Sequence, residues 1–198
     1  MVQTLDILPE TPSQTAGPYV HIGCLPSFTG ITGVYPEDLG RSPIAEGARG
    51  EAITITGQVF DGTGWALRDA LIESWQADAA GLYPGQPGAD PAVSGFCRFA
   101  ADADSGEWTL RTVKPGRVGR MAPHIALWIV ARGINIGLQT RIYFEDEDNT
   151  GDPVLAALEH RHRLPTLLAR RTGPGTYRFD IRLQGEGDHP ARRPPPGS

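Results

Sequence analysis

Residues 53–60 read ITITGQVF and run directly into DGTG at positions 61–64. Ile53, Ile55 and Val59 fall on alternate positions, and a period of two is typical of a strand with one buried face. The glycine-rich turn that follows ends the strand and lets the chain reverse direction. This segment therefore predicts a β protein built from half-buried strands.

The same alternation recurs along the chain, most cleanly in TYRFDIRLQ at 176–184. Other short strands are predicted in ALIESWQAD at 70–78, EWTLRTV at 107–113, HIALWIVAR at 124–132 and TRIYFEDE at 140–147. Six or more short strands, separated by turns rich in the 25 glycines and 18 prolines, predict a mainly β fold. We expect a β-sandwich core of mixed or antiparallel strands with one or two short helices.

The 198 residues suit one structural domain with excursions at both ends. Segments dense in Pro, Gly, Ser and Thr predict that residues 1–50 form a long irregular arm, extended rather than helical. Such an arm either packs on its own body or wraps a neighbouring subunit. The sandwich is expected over 51–188, followed by a loosely packed proline-rich tail at 189–198.

One helix is predicted in GDPVLAALEHRHRLP at 151–165, where Asp152 caps the helix, Pro153 fits its first turn and Pro165 limits it. His160 and His162 are the histidines closest together in the sequence. Residues two apart on a helix point in different directions, so this pair indicates a basic surface rather than a metal clamp.

Composition excludes several classes of function. A net charge of -5 and a pI of about 5.5 argue against a nucleic-acid partner. No apolar run is long enough to span a membrane and no leader is recognised, so a cytoplasmic protein is expected. Cys24 and Cys97 fit no metal or redox pattern and are interpreted as buried thiols. No nucleophile elbow, phosphate loop or zinc-protease helix is present, so residue chemistry alone stops at a β protein.

The stretch GQVFDGTGWALRDALIESWQADAAGLY, from Gly57 to Tyr83, resembles the opening strand pair of the intradiol ring-cleavage dioxygenases. The resemblance continues in order through SGFCRFAADADSGEWTLRTVKPG, APHI, TRIYF and YRFDIRLQGEG, and covers most of residues 9–188. It implies a β-sandwich and the oxygen-dependent cleavage of a catechol ring between its hydroxylated carbons.

Catalytic members of this family hold non-haem Fe(III) with two tyrosines and two histidines, which suit that ion. By resemblance, Tyr83 and His124 keep one position of each kind, whereas Val118 and Ala126 replace the other two. Met121 stands where catalytic chains carry an arginine that stabilises the substrate. The resemblance therefore implies no iron in this chain, with Tyr83 and His124 as packed, hydrogen-bonded core residues.

PETPSQTAGPYVHIG and APHI…ARGIN resemble the alpha chains of the family's two-chain members. In those chains the arm forms part of the wall of the substrate pocket in a homologous beta chain. Carried onto this sequence, the contributors to the partner's pocket are Thr15, Gly17, Pro18 and Arg132. An exposed cation such as Arg132 would attract an anionic aromatic acid.

The resemblance also implies partners and a reaction. A homologous beta subunit would bind the ferric iron, and several alpha/beta pairs would form a larger oligomer. The pair would convert 3,4-dihydroxybenzoate (protocatechuate) and O₂ to 3-carboxy-cis,cis-muconate, a step of aromatic degradation in the beta-ketoadipate pathway. Two alternatives are an autonomous intradiol dioxygenase acting on a catechol and a non-catalytic β-sandwich binding module of the transthyretin-like kind.

Overall fold

The structure, a computed structural model, describes residues 14–184, so the predicted tail at 189–198 lies outside the described residues. The strands are Ala52–Phe60 (β1), Leu71–Gln76 (β2), Phe96–Ala100 (β3), Glu107–Val113 (β4), His124–Val130 (β5), Leu138–Phe144 (β6), Leu168–Gly173 (β7), Thr176–Arg178 (β8) and Ile181–Arg182 (β9). Two α-helices, Pro18–Cys24 (α1) and Pro153–Ala156 (α2), and the 3₁₀ helices Ser27–Thr29 and Arg161–Leu167 complete the secondary structure. The mainly β prediction is confirmed. No helix in this part of the chain is long and apolar enough to cross a membrane.

Strands follow the order β3-β2-β5-β6-β7-β8-β1-β4, with β9 also beside β1. Most neighbours are antiparallel, but β6 with β7, and β1 with β8 and β9, are parallel, so the sheet is mixed. Ile55 and Leu110 from one half share a buried core with Ile125 and Ile142 from the other. The predicted sandwich is confirmed, and β7 joins its two layers by hydrogen bonds.

The predicted last strand is divided into β8 and β9, which both run along β1. Between them, the Phe179 N–H donates to the Thr56 carbonyl at 2.8 Å. Gly57 lies at this crossing, and a Cβ at that position would overlap the Phe179 carbonyl. The glycine is therefore required by the close approach of two backbones.

The predicted helix at 151–165 is wrong in its length. Asp152 caps α2 and Pro153 occupies its first turn, as expected, but α2 ends at Ala156. The chain continues as the 3₁₀ helix Arg161–Leu167, which contains Pro165. Pro165 could limit an α-helix only near residue 161, so it does not account for the end of α2 nine residues before it.

The prediction of an extended arm is wrong at α1, where Gly17 is the N-cap and Pro18 begins the helix. Proline is favoured at that position because its φ angle is already helical. Elsewhere the described arm contains the 3₁₀ helix Ser27–Thr29 and irregular chain, and part of it packs on the chain's own body. For example, the Arg98 N–H at the edge of the sheet donates to the Gly40 carbonyl at 2.7 Å.

Both cysteines are free thiols. Cys97 is buried in the core, and burial raises its pKa to about 12. Cys24 is only half-buried at the end of α1, so the expectation of a buried thiol is wrong there.

Candidate functional site

The first ligand position of the family, Tyr83, lies in the loop that follows β2. Asp78 shapes this loop, because one carboxylate oxygen accepts the N–H groups of Ala80 and Leu82, each at 2.9 Å. Burial works to raise the pKa of Asp78, but the backbone donors outweigh it and hold that pKa below its usual range. The loop is therefore rigidly tied to the end of β2.

The Tyr83 ring stacks on Trp75, with centroids 5.9 Å apart and planes 4° from parallel. Tyr83 is half-buried rather than part of the core, so its interpretation as a core residue is wrong. The sequence could not show this, because the ring packs on an outward-facing strand residue instead of on the sandwich interior.

Val118, at the second tyrosine position, lies in a tight turn. Its N–H and carbonyl pair with those of Met121 at 3.2 and 2.9 Å. Gly81, with φ +79°, lies directly against the Arg117 carbonyl, where no side chain would fit. This contact joins the loops that carry Tyr83 and Val118, so the fold brings the two positions together.

His124, at the first histidine position, is 3% exposed at the start of β5. Its Nδ1 is 2.8 Å from the Ala122 carbonyl, which can only accept, so Nδ1 carries the proton when the ring is neutral. Burial lowers the pKa of His124; the Ala122 carbonyl opposes that shift and the charge of Arg141 adds to it. His124 is thus buried and hydrogen-bonded in the structure.

Ala126, at the second histidine position, pairs with Trp75 on β2 and with Arg141 on β6. Side chains of paired residues lie on the same face of a sheet. The Arg141 guanidinium contacts Met121 Sδ and the Tyr143 hydroxyl, each at 3.5 Å. A guanidinium thus lies beside the position where catalytic members place an imidazole.

A buried carboxylate, Asp152, links the segments around this site by hydrogen bonds. Its oxygens accept the N–H groups of Val154, Leu155 and Ala122 at 2.8, 3.0 and 2.8 Å, and the Tyr143 hydroxyl at 3.4 Å. Asp152 therefore connects α2 to the segment that leads into β5. Burial raises the pKa of Tyr143 above its usual value.

These residues do not fit a ferric ion. Val118 and Ala126 have no donor atom, and residues 14–184 contain no group of three or more His, Cys, Asp or Glu side chains that could hold a metal. The positive charge of Arg141 next to Ala126 would repel a trivalent cation. That this chain holds no catalytic iron stays a prediction, and the missing donor atoms at Val118 and Ala126 support it.

A second surface lies at the other end of β5. Thr15 Oγ1 accepts the Gly133 N–H at 2.6 Å and contacts the Ala131 carbonyl at 3.4 Å. The Arg132 N–H donates to Asp69 at 3.2 Å, and its guanidinium Nε is 3.6 Å from the same carboxylate. The arm is thus fastened to the turn after β5, with the Arg132 side chain 82% exposed.

The structure brings Thr15 and Arg132 together, and Gly17 and Pro18 lie two and three residues after Thr15 at the start of α1. We call this group of four residues the arm–turn surface. Because β5 runs from His124 to Val130, its ends are about 20 Å apart at a rise of about 3.3 Å per residue. The arm–turn surface is therefore distinct from the site around His124 and Ala126.

A family model described as Dioxygenase matches residues 26–185, which is most of the chain. The chain belongs to the intradiol dioxygenase family. Homologues in this family are oxidoreductases, and the intradiol dioxygenase family is iron-dependent.

Within the intradiol dioxygenase family, the chain is 47% identical to the protocatechuate 3,4-dioxygenase alpha chain of Pseudomonas putida, over 93% of this chain and 96% of that one. It is 31% identical to the beta chain of the Burkholderia cepacia enzyme, over 81% of this chain and 77% of that one. Among solved structures, the dioxygenase domain of a carbohydrate-binding fusion from Streptomyces sp. SirexAA-E matches with a TM-score of 0.57 and 25% identity, covering 87% of this chain and 98% of that one.

Proposed function

We propose that this chain is the alpha subunit of a protocatechuate 3,4-dioxygenase and is inactive alone. It would pair with a homologous beta subunit that holds the ferric iron, and the pair would cleave 3,4-dihydroxybenzoate with O₂ to 3-carboxy-cis,cis-muconate. The observation that carries this proposal is the loss of donors at Val118 and Ala126 in a chain that keeps the family fold. The similarity to alpha chains supports it along nearly the whole length.

Exposed apolar side chains on the arm support pairing with another subunit. Tyr19 is 82% exposed, and other large apolar residues of the arm are also open to solvent: Ile22, Phe28, Ile31, Val34, Tyr35 and Leu39. Several exposed large apolar side chains within one segment are typical of a protein interface. The beta partner would cover it, and several such pairs would assemble into a larger oligomer.

The arm–turn surface would then form part of the wall of the partner's substrate pocket. Thr15 ties the arm to Gly133, next to Arg132, just before Gly17 and Pro18 begin α1. The exposed guanidinium of Arg132 would attract the carboxylate of the substrate at the pocket mouth. Its ion pair with Asp69 is exposed and contributes little to stability, so Arg132 can be replaced without unfolding the chain.

The test is the steady-state kinetics of Arg132→Gln in the pair coexpressed from this chain and its beta subunit. We expect KM for 3,4-dihydroxybenzoate to rise about threefold to tenfold with kcat nearly unchanged, since one exposed charge contributes roughly 1 kcal/mol. Arg111→Gln is the matched control, because Arg111 is an exposed arginine on β4. The difference between the two variants should shrink at high ionic strength.

An unchanged KM in Arg132→Gln, or an equal rise of KM in both variants, would show that the arm–turn surface does not form part of the partner's pocket.

A cytoplasmic location is part of the proposal. Its support is that both cysteines are free thiols, as expected in a reducing compartment.

A further inference from the structure

A cavity of about 550 Å³ opens on the outer face of β2, β5 and β6, above Ala126. Its wall includes Trp75, Trp128, Phe96 and Arg141, and residues of α2 and the following 3₁₀ helix close one side. Volumes of this size are typical of small-molecule sites. Ala126 contributes only a methyl group to the wall.

Arg141 is the cation that a ligand would meet in this cavity. Within residues 14–184 it makes no ion pair, and its contacts are Met121 Sδ and the Tyr143 hydroxyl. Glu73, in the same wall, is already paired with Arg98 at 2.6 Å. Asp152 is separated from Arg141 by the Tyr143 hydroxyl, which contacts both.

Two indole rings supply flat apolar walls. Trp75 is 42% exposed and Trp128 is 36% exposed, although both are large apolar side chains. Each ring is supported from one side: Tyr83 stacks on Trp75, and Gly137 packs directly on the Trp128 indole. The walls are therefore held in place before any ligand enters, which lowers the entropic cost of binding.

We propose that this cavity is a non-catalytic binding site for a small aromatic carboxylate, with the carboxylate on the Arg141 guanidinium and the ring against Trp75 and Trp128. A planar carboxylate matches the fork of N–H donors on a guanidinium. An aromatic ring matches the flat walls better than a puckered ring of the same size. The site stands on the contacts of this chain alone and does not depend on the proposed pairing.

The experiment is equilibrium dialysis with radiolabelled benzoate on the purified full-length chain. If a beta partner copurifies with the chain, the complex of the two is used. Benzoate lacks the two hydroxyl groups of a catechol and is not consumed. We expect each copy of this chain to bind one molecule of benzoate through Arg141. The affinity for benzoate should fall at least tenfold in Arg141→Gln. Cyclohexanecarboxylate should compete several-fold less well than unlabelled benzoate.

Two further variants separate binding from folding. Ala126→Phe keeps Arg141 but fills the cavity, so it should also abolish the Arg141-dependent binding of benzoate. Arg111→Gln should bind benzoate like the wild type. Circular dichroism on every variant establishes that the β fold is retained.

The proposal would be overturned if the wild-type chain bound no benzoate beyond the amount bound by Arg141→Gln. It would also be overturned if Arg141→Gln and Ala126→Phe both bound as much benzoate as the wild type. Benzoate bound at an iron site of the partner would remain in these variants and so would be counted separately. If this chain does not pair with any beta subunit, the Arg141-dependent equivalent is still expected. An active pair that lacks it would contradict this inference alone.

Discussion

Replacing Asp152 with alanine should destabilise the chain by about 2–4 kcal/mol. The substitution removes the N-cap of α2, which is worth about 1 kcal/mol. It also leaves the Ala122 N–H without its acceptor, and a buried unsatisfied donor costs about 1–3 kcal/mol. Because Asp152 is 1% exposed, water cannot replace the lost bonds without opening the site.

Thermal unfolding followed by circular dichroism measures this effect. For a chain of this size, a loss of about 3 kcal/mol lowers Tm by roughly 6–12 °C. Asp152→Asn keeps one acceptor oxygen and should lose about half as much. Asp148→Ala is the matched control, because Asp148 caps an exposed turn through Thr150 and should change stability by less than about 1 kcal/mol. Equal effects of Asp152→Ala and Asp148→Ala would refute the reasoning.

The other predictions concern the core, the histidine and the arm. Gly57→Ala should destabilise the fold by about 2 kcal/mol or more in urea unfolding, since its Cβ would overlap the Phe179 carbonyl. His124 has a lowered pKa in the folded state, so its contribution is complete above the unfolded pKa of about 6.5 and is lost as the pH falls below it. Unfolding measured from pH 7.5 to 5 should show this loss in the wild type and less of it in His124→Gln, and identical pH profiles would contradict the assignment. Thr15→Val removes the acceptor for the Gly133 N–H and should raise KM in the coexpressed pair while changing Tm little. An unchanged KM would show that the arm does not contribute to the pocket.

The strands with a clear alternation could be predicted from the sequence, because one face of each must be buried. Ile53, Ile55 and Val59 all point into the core as expected. Strand β7 was not predicted, since LARRTG carries two arginines and buries only one side chain, Ala169. The segment is a strand because it pairs with β6 and β8. This pairing depends on the tertiary fold, so the local pattern of apolar and polar residues does not reveal it.

The family ligand positions could be found from the sequence, but the presence of Arg141 beside Ala126 could not. Arg141 is fifteen or more positions from each of the four family positions, and only the pairing of β5 with β6 places it beside Ala126. The parity of the strand offers a weak signal, since Arg141 and Tyr143 must share one face. The stacking of Tyr83 on Trp75 likewise depends on how the loop after β2 folds back.

Iron content, visible absorbance and O₂ uptake with 3,4-dihydroxybenzoate test the central claim most directly, first on this chain purified alone and then on the chain coexpressed with a beta subunit. A chain that is colourless and inert alone, but forms a coloured and active pair, is the predicted result. Stoichiometric iron and turnover in the lone chain would contradict it, because Val118 and Ala126 provide no donors.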